Sequence, residues 1–302
     1  MRRAALALPG LGLALVLAAC GSGSPLEPRT ATSSSPSSAA PRPSHRPPAT
    51  SATSRPSRTT PTRRPVLDTW QVGAHVLPRR PDGFGVVRPT PPELRVRRLA
   101  TTDALPGPTD GRFHSSSRTM TPALARRLEL AWSPGCPVAL GDLRLLDLAF
   151  HGFDGELHTG QLVVRADVAG EVVEVFRRLF AARFPIEQMR VVTQADLVAP
   201  PTGDGNNTAA YACRATRGST SWSAHAYGLA VDVDPFMNPY TRDGSDLVLP
   251  ELASSYLDRS WRRPGMVLPG GPVTRAFSAV GWTWGGTFST VHDPMHFSAD
   301  GR

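Results

Sequence analysis

Two short segments of the chain carry the residue types that bind metals and move protons. The first, WSAHAYGLAVDVD at residues 222–234, contains His225 and Asp232. The second, VHDPMHF at residues 291–297, contains His296. Two histidines and one aspartate supply three zinc ligands and leave the fourth position open, which is the composition of a catalytic zinc site rather than a structural one.

A further carboxylate, Asp293, stands three residues before the last of these histidines. It could take a proton from a water molecule that zinc activates. Other assignments remain open from the residues alone. Asp234 shares a strand face with Asp232, and His292 shares one with His296 if their segment is extended, so either could be the ligand instead. The chain has eight histidines, and spacing alone does not choose among them.

The elements around the first segment are predicted from its apolar pattern. Residues 229–233 form a predicted strand on which Val231 and Val233 face the core and Asp232 faces the opposite side. Gly228 permits a turn between His225 and this strand. A carboxylate beside a buried strand needs a partner or a metal, which favours a site at this position.

The remaining elements mix strands and helices without a repeating βα unit, which predicts an α+β fold. Thr121 and Pro122 are typical of a helix start, and Leu124, Leu128 and Ala131 then recur at helical spacing. A hairpin is predicted over 143–165 around the turn at Asp154 and Gly155. The other predicted elements are a helix over 168–180, a strand over 189–192, a long loop over 199–221 and a helix over 273–280.

The first residues predict export. Residues 1–19 have a positive start and a short apolar core, as in a secretory signal peptide. The following LAACG resembles a bacterial lipobox, which implies cleavage before Cys20 and lipid on its sulfur. Residues 20–65 are rich in Ser, Thr, Pro and Arg and predict a disordered tether. We expect residues 66–118 to form an irregular lead-in and residues 119–302 to form the catalytic domain.

The net charge of +8 belongs to the front of the chain. Residues 21–65 hold seven arginines and one glutamate, and Arg2 and Arg3 supply the rest, so residues 66–302 sum to zero. The high isoelectric point therefore gives no reason to expect nucleic-acid binding. A basic tether suits anionic lipid or wall polymers, although a plain solvated spacer fits equally well.

The three cysteines agree with an extracytoplasmic address. Lipidation would use Cys20, which leaves Cys136 and Cys213 as one pair. An oxidising compartment permits a disulfide between them. Two separate buried thiols are the alternative.

The motif residues resemble those of zinc D-alanyl-D-alanine carboxypeptidases of the VanY type. Residues 223–232 match the pattern SxHxxGxAxD. Residues 281–286, GWTWGG, and residues 293–297, DPMHF, are similar to two later elements of that family. The resemblance runs from about residue 136 to 297. It implies a small antiparallel sheet with helices packed on it, a fold shared with lysostaphin-like endopeptidases and the hedgehog domain.

The resemblance also assigns roles. It implies that His225, Asp232 and His296 bind Zn²⁺, and that Asp293 is the general base and later the acid. Many relatives have Glu at that last position, so the reach of the shorter Asp needs to be checked. Arg214 would polarise the scissile carbonyl or hold the substrate's carboxylate.

Further residues have supporting roles or rivals. Ser223 would make a hydrogen bond in or beside the site, and Trp284 would line the substrate cleft, although packing in the core is an equal alternative. Arg190 is a second candidate for the task of Arg214. His151 and His158 flank the hairpin turn, and we expect both at the surface.

These observations predict a lipid-anchored zinc metallopeptidase at the outer face of the cytoplasmic membrane. Its partners would be peptidoglycan stem peptides and, through Cys20, the membrane. The expected reaction is D-alanyl-D-alanine carboxypeptidase cleavage. An L-alanyl-D-glutamate or cross-bridge endopeptidase is the alternative within the class. A non-catalytic zinc-containing wall-binding module is the alternative of another class.

Overall fold

The computed structural model describes residues 67–216 and 219–302. Its α-helices are α1 (Pro122–Arg127), α2 (Ala169–Ala181), α3 (Gln194–Val198) and α4 (Pro272–Ser278). Its strands are β1 (Ser115–Thr119), β2 (Leu143–His151), β3 (Leu157–Arg165), β4 (Gln188–Met189), β5 (Asn207–Thr208), β6 (Ala230–Asp232), β7 (Tyr240–Arg242), β8 (Val248–Leu249), β9 (Thr283–Trp284), β10 (Val291–His292) and β11 (His296–Ser298). This is the predicted α+β class.

The predicted hairpin forms the largest sheet. Strands β2 and β3 pair antiparallel along their full length, and β1 adds to the outer side of β2. Gly155 turns the chain with a positive φ of 82°, a conformation that costs glycine little. Strand β3 begins at Leu157, because pairing with β2 recruits polar residues that the apolar pattern does not mark.

Helix α2 packs its apolar face against this sheet. Its buried residues Val172, Val175, Phe176 and Leu179 recur at helical spacing, as predicted. Each large apolar side chain buried in this way contributes about 1.5–3 kcal/mol relative to exposure. The same core includes Val231 on β6, Val233 directly after β6 and Phe297 on β11.

A second small sheet carries the candidate site. Its strands lie in the order β6–β11–β9, and all pairs are antiparallel. Asp232 on β6 lies directly opposite His296 on β11. Val231 and Val233 are fully buried, and Asp232 faces the other side, as the alternating pattern predicts.

Two predicted elements are shorter than the sequence suggests. The strand predicted over 189–192 is limited to β4, which pairs in parallel with β5. Helix α1 starts at Pro122 with the Thr121 side chain accepting a hydrogen bond from the Leu124 N–H, as predicted. It ends at Arg127, because Glu129 has a positive φ of 49° that a helix cannot continue.

The segment before β1 packs against the rest of the protein. Leu94 and Arg97 are buried, and the Arg97 guanidinium pairs with both carboxylate oxygens of Glu187 at 2.6 and 2.7 Å. Strand β1 leads directly up to the domain boundary predicted at residue 119. A buried arginine and an edge strand thus tie the lead-in to the sheet core, and the domain boundary at residue 119 stays a prediction.

The predicted signal peptide, Cys20 and the tether lie outside the described residues. Within residues 67–216 and 219–302, no helix combines the length and apolar character needed to span a membrane.

Candidate active site

A short 3₁₀ helix, Ala224–Tyr227, presents His225 to the site. Ser223 caps it, because its hydroxyl oxygen accepts a hydrogen bond from the His225 N–H at 3.4 Å. Gly228 ends it with a positive φ of 67°. A Cβ at Gly228 would also lie 2.6 Å from the Arg165 nitrogen on β3, so glycine is required both by conformation and by space.

Three side chains from three elements meet at one point. His225 Nε2 lies 3.2 Å from Asp232 Oδ2, and His296 Nδ1 lies 3.0 Å from Asp232 Oδ1. The two ring nitrogens are 3.3 Å apart. His225 and His296 are buried, and Asp232 is half-buried. The structure thus brings together the three residues that the sequence analysis assigns as zinc ligands.

Backbone carbonyls determine which nitrogen of each ring faces the cluster. His225 Nδ1 donates to the Ala210 carbonyl at 2.6 Å, and His296 Nε2 donates to the Arg302 carbonyl at 2.8 Å. A carbonyl only accepts, so in the neutral rings the opposite nitrogens carry lone pairs. This is the arrangement in which histidine ligands are commonly oriented in metal sites.

The donor set fits zinc. Two lone pairs and a carboxylate converge within 4.8 Å of one another, and such a set requires a cation between its members. Two nitrogens bound to tetrahedral zinc at their usual distance lie about 3.3 Å apart, which is the separation of His225 Nε2 and His296 Nδ1. Three protein ligands leave one position for water or substrate.

The shifted pKa values in the cluster also indicate that it favours positive charge. Burial would raise the pKa of Asp232, but the facing imidazoles of His225 and His296 lower it below its usual range. Burial would lower the pKa of His296, but Asp232 and Asp293 outweigh burial and raise it to about 9. A bound metal cation would replace the proton that the cluster otherwise favours.

Asp293 lies beside the cluster without belonging to it. Burial and, to a smaller extent, the charge of Asp232 raise its pKa to about 7, against the opposing effect of His296 and Arg214. Its Oδ1 is buried and makes no hydrogen bond within the described part of the chain. A carboxyl group with a pKa near neutrality and a free buried oxygen suits proton transfer.

Gly285 makes the close approach of Asp293 possible. Its carbonyl accepts a hydrogen bond from the Asp293 N–H at 3.2 Å. A Cβ at Gly285 would lie 2.7 Å from the Asp293 carbonyl oxygen and 3.2 Å from the His296 Cβ. The GWTWGG motif therefore packs against Asp293 and His296 at once.

A cavity of about 440 Å³ opens onto this cluster. His225, Asp232 and Arg214 line it, together with two residues that the sequence analysis did not identify, Arg79 and Asp196. No local sequence pattern marks either residue as part of a site. Arg79 lies in the irregular lead-in, and the position of Asp196 is typical of a residue that caps a helix. Apolar side chains complete the lining: Val192, Leu197, Val198, Ala199, Ala209, Ala210, Ala212 and Ala215.

The rival ligand Asp234 lies elsewhere. Its φ of 41° takes it out of the strand alternation that the shared-face argument assumed. The side chain is fully buried, and its Oδ1 accepts a hydrogen bond from the Glu187 N–H at 3.1 Å. Burial raises its pKa well above the usual value. Asp234 is therefore not a member of the His225, Asp232 and His296 cluster, and its side chain is bonded to the Glu187 backbone instead.

His292 and Arg190, the rivals of His296 and Arg214, are engaged with acidic partners away from the cluster. His292 is exposed, and its Nε2 lies 3.1 Å from Asp243 Oδ1. It does not share a face with His296, because the chain turns between them. Arg190 forms two hydrogen bonds with Asp196 and is not among the residues that line the cavity.

Trp284 packs in the core rather than along the cavity. Its indole N–H donates to the Pro294 carbonyl at 2.9 Å, and its ring stacks near Phe297. Trp284 thereby supports the segment that carries Asp293 and His296. A Cβ at Gly286 would lie 2.3 Å from this indole, so the lack of a side chain at Gly286 lets the indole pack closely against the backbone.

Two further sequence expectations concern the cysteine pair and His158. Cys136 and Cys213 form a disulfide, which places a covalent link next to Arg214. His158 is 4% exposed, so its expected surface position is wrong. It lies between Asp103 and Asp154, whose carboxylates offset the cost of burying it.

The comparisons with known proteins agree with the geometry over part of the chain. Residues 217–299 match the model of a D-alanyl-D-alanine carboxypeptidase family. No curated protein matches the chain, and no solved structure does. The matched segment contains His225, Asp232, Asp293 and His296, and it confirms the resemblance to the VanY-type D-alanyl-D-alanine carboxypeptidase family and supports a peptidase.

Proposed function

We propose that this protein is a zinc-dependent D-alanyl-D-alanine carboxypeptidase that acts on peptidoglycan stem peptides. One observation carries the proposal: a convergent His–Asp–His donor set, its tautomers set by carbonyls, beside a buried carboxyl group at the end of a cavity. The family match of residues 217–299 supports the peptide substrate class.

His225, Asp232 and His296 would hold zinc. Bound there, zinc would lower the pKa of a water molecule to about 7 and polarise the scissile carbonyl. Asp293 is placed to accept a proton from the attacking water, because its carboxyl group is buried and has a free oxygen. The same group then gives the proton to the leaving amine.

Arg214 and the cavity wall contribute binding. Arg214 lines the cavity, and its charge acts on Asp293, so its guanidinium lies near the reacting centre. A positive group there stabilises negative charge that develops on the carbonyl oxygen. The alanine-rich wall offers a surface that suits methyl side chains, as in a D-Ala-D-Ala terminus.

The location of the protein is also proposed. We infer from the residues around Cys20 that a lipid anchors the chain at the outer face of the cytoplasmic membrane, within the cell envelope. Radiolabelled lipid incorporation, abolished by Cys20→Ala, would test this anchor.

The central test uses the full chain and defined muropeptides. Bound zinc is measured by elemental analysis, and products are identified by mass spectrometry for the wild type, His225→Ala and Asp293→Ala. Loss of one D-Ala from a pentapeptide stem by the wild type alone is the expected result. Cleavage inside the stem would replace carboxypeptidase with endopeptidase. Stoichiometric zinc with no product from any stem would overturn the enzyme and leave a wall-binding module.

A further inference from the structure

A second arginine, Arg79, lines the cavity that holds the candidate metal cluster. It comes from the lead-in segment, far from residues 217–299 that match the peptidase family. No motif singles it out. Its position therefore raises the question of which group in a ligand it meets.

The backbone around Arg79 is held in place on both sides. The Leu77 N–H donates to the Pro201 carbonyl at 2.8 Å, and Arg79 forms a β-bridge with Gly85. The Gly85 N–H in turn donates to the Glu251 carboxylate at 2.6 Å in a buried contact. An exposed side chain on an anchored backbone loses less freedom on binding than one on a free loop.

The Arg79 side chain has no acidic partner within residues 67–216 and 219–302. Its Nη1 donates to the Gly83 carbonyl at 3.1 Å. The next residue differs, because Arg80 pairs with Asp82 at 3.1 Å and with Asp246 at 2.8 Å. Of these two adjacent arginines, Arg80 is paired with carboxylates, whereas the guanidinium of Arg79 at the cavity is available to an acidic ligand.

The carboxylates at the cavity are already engaged. Asp196 accepts two hydrogen bonds from Arg190, at 2.7 and 2.9 Å. Asp232 faces the two imidazoles of the cluster. Among the residues that line the cavity, Arg79 is therefore left with a positive charge that no carboxylate neutralises, whereas the charge of Arg214 acts on Asp293. Guanidinium groups bind carboxylates with two parallel hydrogen bonds, which favours an anionic ligand.

The two arginines differ in their electrostatic relation to the reacting centre. Arg214 acts electrostatically on Asp293, whereas Arg79 is not among the groups that do so. We propose that Arg79 binds the free C-terminal carboxylate of the peptide substrate and leaves Arg214 to the scissile carbonyl. This inference rests on the proposed function and deepens it, because it assigns the group that distinguishes a peptide end from an internal bond.

The test compares two variants and two peptides. Arg79→Gln removes the guanidinium at the cavity, and Arg80→Gln removes the same charge one residue away. Each is assayed with a peptide ending in D-Ala-D-Ala and with the same peptide as its C-terminal amide. We expect Arg79→Gln to reduce kcat/KM about 10- to 100-fold for the free acid, mainly through KM. The amide should change less than about threefold, and Arg80→Gln should affect both peptides equally.

Equal losses on the acid and the amide with Arg79→Gln would overturn the inference and assign Arg79 a structural role. A wild type that cleaves neither peptide would contradict the proposed function instead. In that case, calorimetric titration of zinc-loaded protein with both peptides still decides the role of Arg79. Tighter binding of the acid that disappears in Arg79→Gln would support the inference, and equal affinities in the wild type would overturn it.

Discussion

Histidine meets carboxylate in two buried places, and the two arrangements are opposite. In the candidate metal cluster, nitrogens of His225 and His296 converge on the single carboxylate of Asp232. In the second cluster, formed by Asp103, His158 and Asp154, one imidazole places its two nitrogens against two separate carboxylates, at 2.8 and 3.0 Å.

The difference teaches how to recognise a site that needs a ligand. In the second cluster both nitrogens of His158 face acceptors, so a protonated ring satisfies every partner from within the chain. In the first cluster, carbonyls already take one N–H of each ring, and the remaining lone pairs point at each other. Acceptor atoms that converge on one point require an added cation between them. A protonated imidazole between two carboxylates, in contrast, satisfies all its partners within the protein.

The difference between the two clusters is tested most strongly by measuring zinc binding after a histidine is removed from each. His225→Ala removes one of three ligands and should reduce bound zinc from about one equivalent to below about a tenth. Activity should fall at least about 1000-fold, because several kcal/mol of transition-state stabilisation are lost with the metal. Elemental analysis after dialysis and peptide hydrolysis measure the two effects separately.

His158→Ala is the matched control, since it deletes a histidine that is equally buried beside carboxylates. It should retain zinc at the wild-type stoichiometry. If His158→Ala lost zinc while His225→Ala kept it, the distinction between convergent and divergent clusters would fail.

Asp293→Asn separates proton transfer from metal binding. The amide keeps the shape of the side chain but cannot accept the proton, so we expect kcat to fall about 100- to 1000-fold. Zinc content should stay unchanged, because Asp293 is not one of the three convergent ligands. A variant that lost zinc in parallel with activity would show that Asp293 is a ligand rather than a base.

Gly285→Ala tests the packing that joins base and ligand. The new Cβ would lie 2.7 Å from the Asp293 carbonyl oxygen and 3.0 Å from its Cβ, so the segment must shift. A displacement of about 1 Å can cost about 100-fold in rate, and we expect a loss of about 10- to 100-fold with weaker zinc binding. Chelator competition measures the zinc affinity.

Gly170→Ala provides the control for this substitution. Gly170 lies in α2, and a Cβ there would meet no atom within 4 Å. Alanine should leave activity unchanged and stabilise the helix by up to about 1 kcal/mol. Full activity in Gly285→Ala would show that the site tolerates movement of Asp293 and His296.

Local patterns in the sequence predict part of this arrangement well. The alternation around Val231 and Val233 places Asp232 on the free face of β6, and the spacing of α2 predicts its buried side. Asp234 is a rival to Asp232 only if the alternation continues one step too far. The positive φ of Asp234 ends the strand geometry there, and no residue pattern announces it.

Long-range pairings are what local patterns could not predict. Arg97 and Glu187 are 90 residues apart, and their buried contact decides that the lead-in belongs to the folded body. Polar residues beside a turn predict a surface position for His158, but Asp103 covers it from a segment 55 residues earlier. Arg79 reaches the cavity in the same way. A pattern within one segment does not indicate which side chain from a distant segment will pack against it.

Raising the pH tests the second cluster and gives the smallest expected effect. Burial alone would lower the pKa of His158, but Asp154 and Asp103 outweigh it and raise the pKa above its usual value. The tie therefore contributes full stability below the unfolded pKa of about 6.5 and loses it as the pH rises through the higher folded value. His158→Ala should lower the free energy of unfolding by about 1–3 kcal/mol at pH 6.

Denaturant titrations at pH 6 and at pH 8.5 measure how this difference between the wild type and His158→Ala changes. We expect it to shrink at the higher pH, because a neutral imidazole can donate to only one of the two carboxylates. Asp103→Asn should shrink it too, since one acceptor then no longer favours the protonated ring. A difference that grew with pH would mean that His158 is neutral in the folded protein. The divergent cluster would then no longer be a closed ionic tie, and its contrast with the metal cluster would be lost.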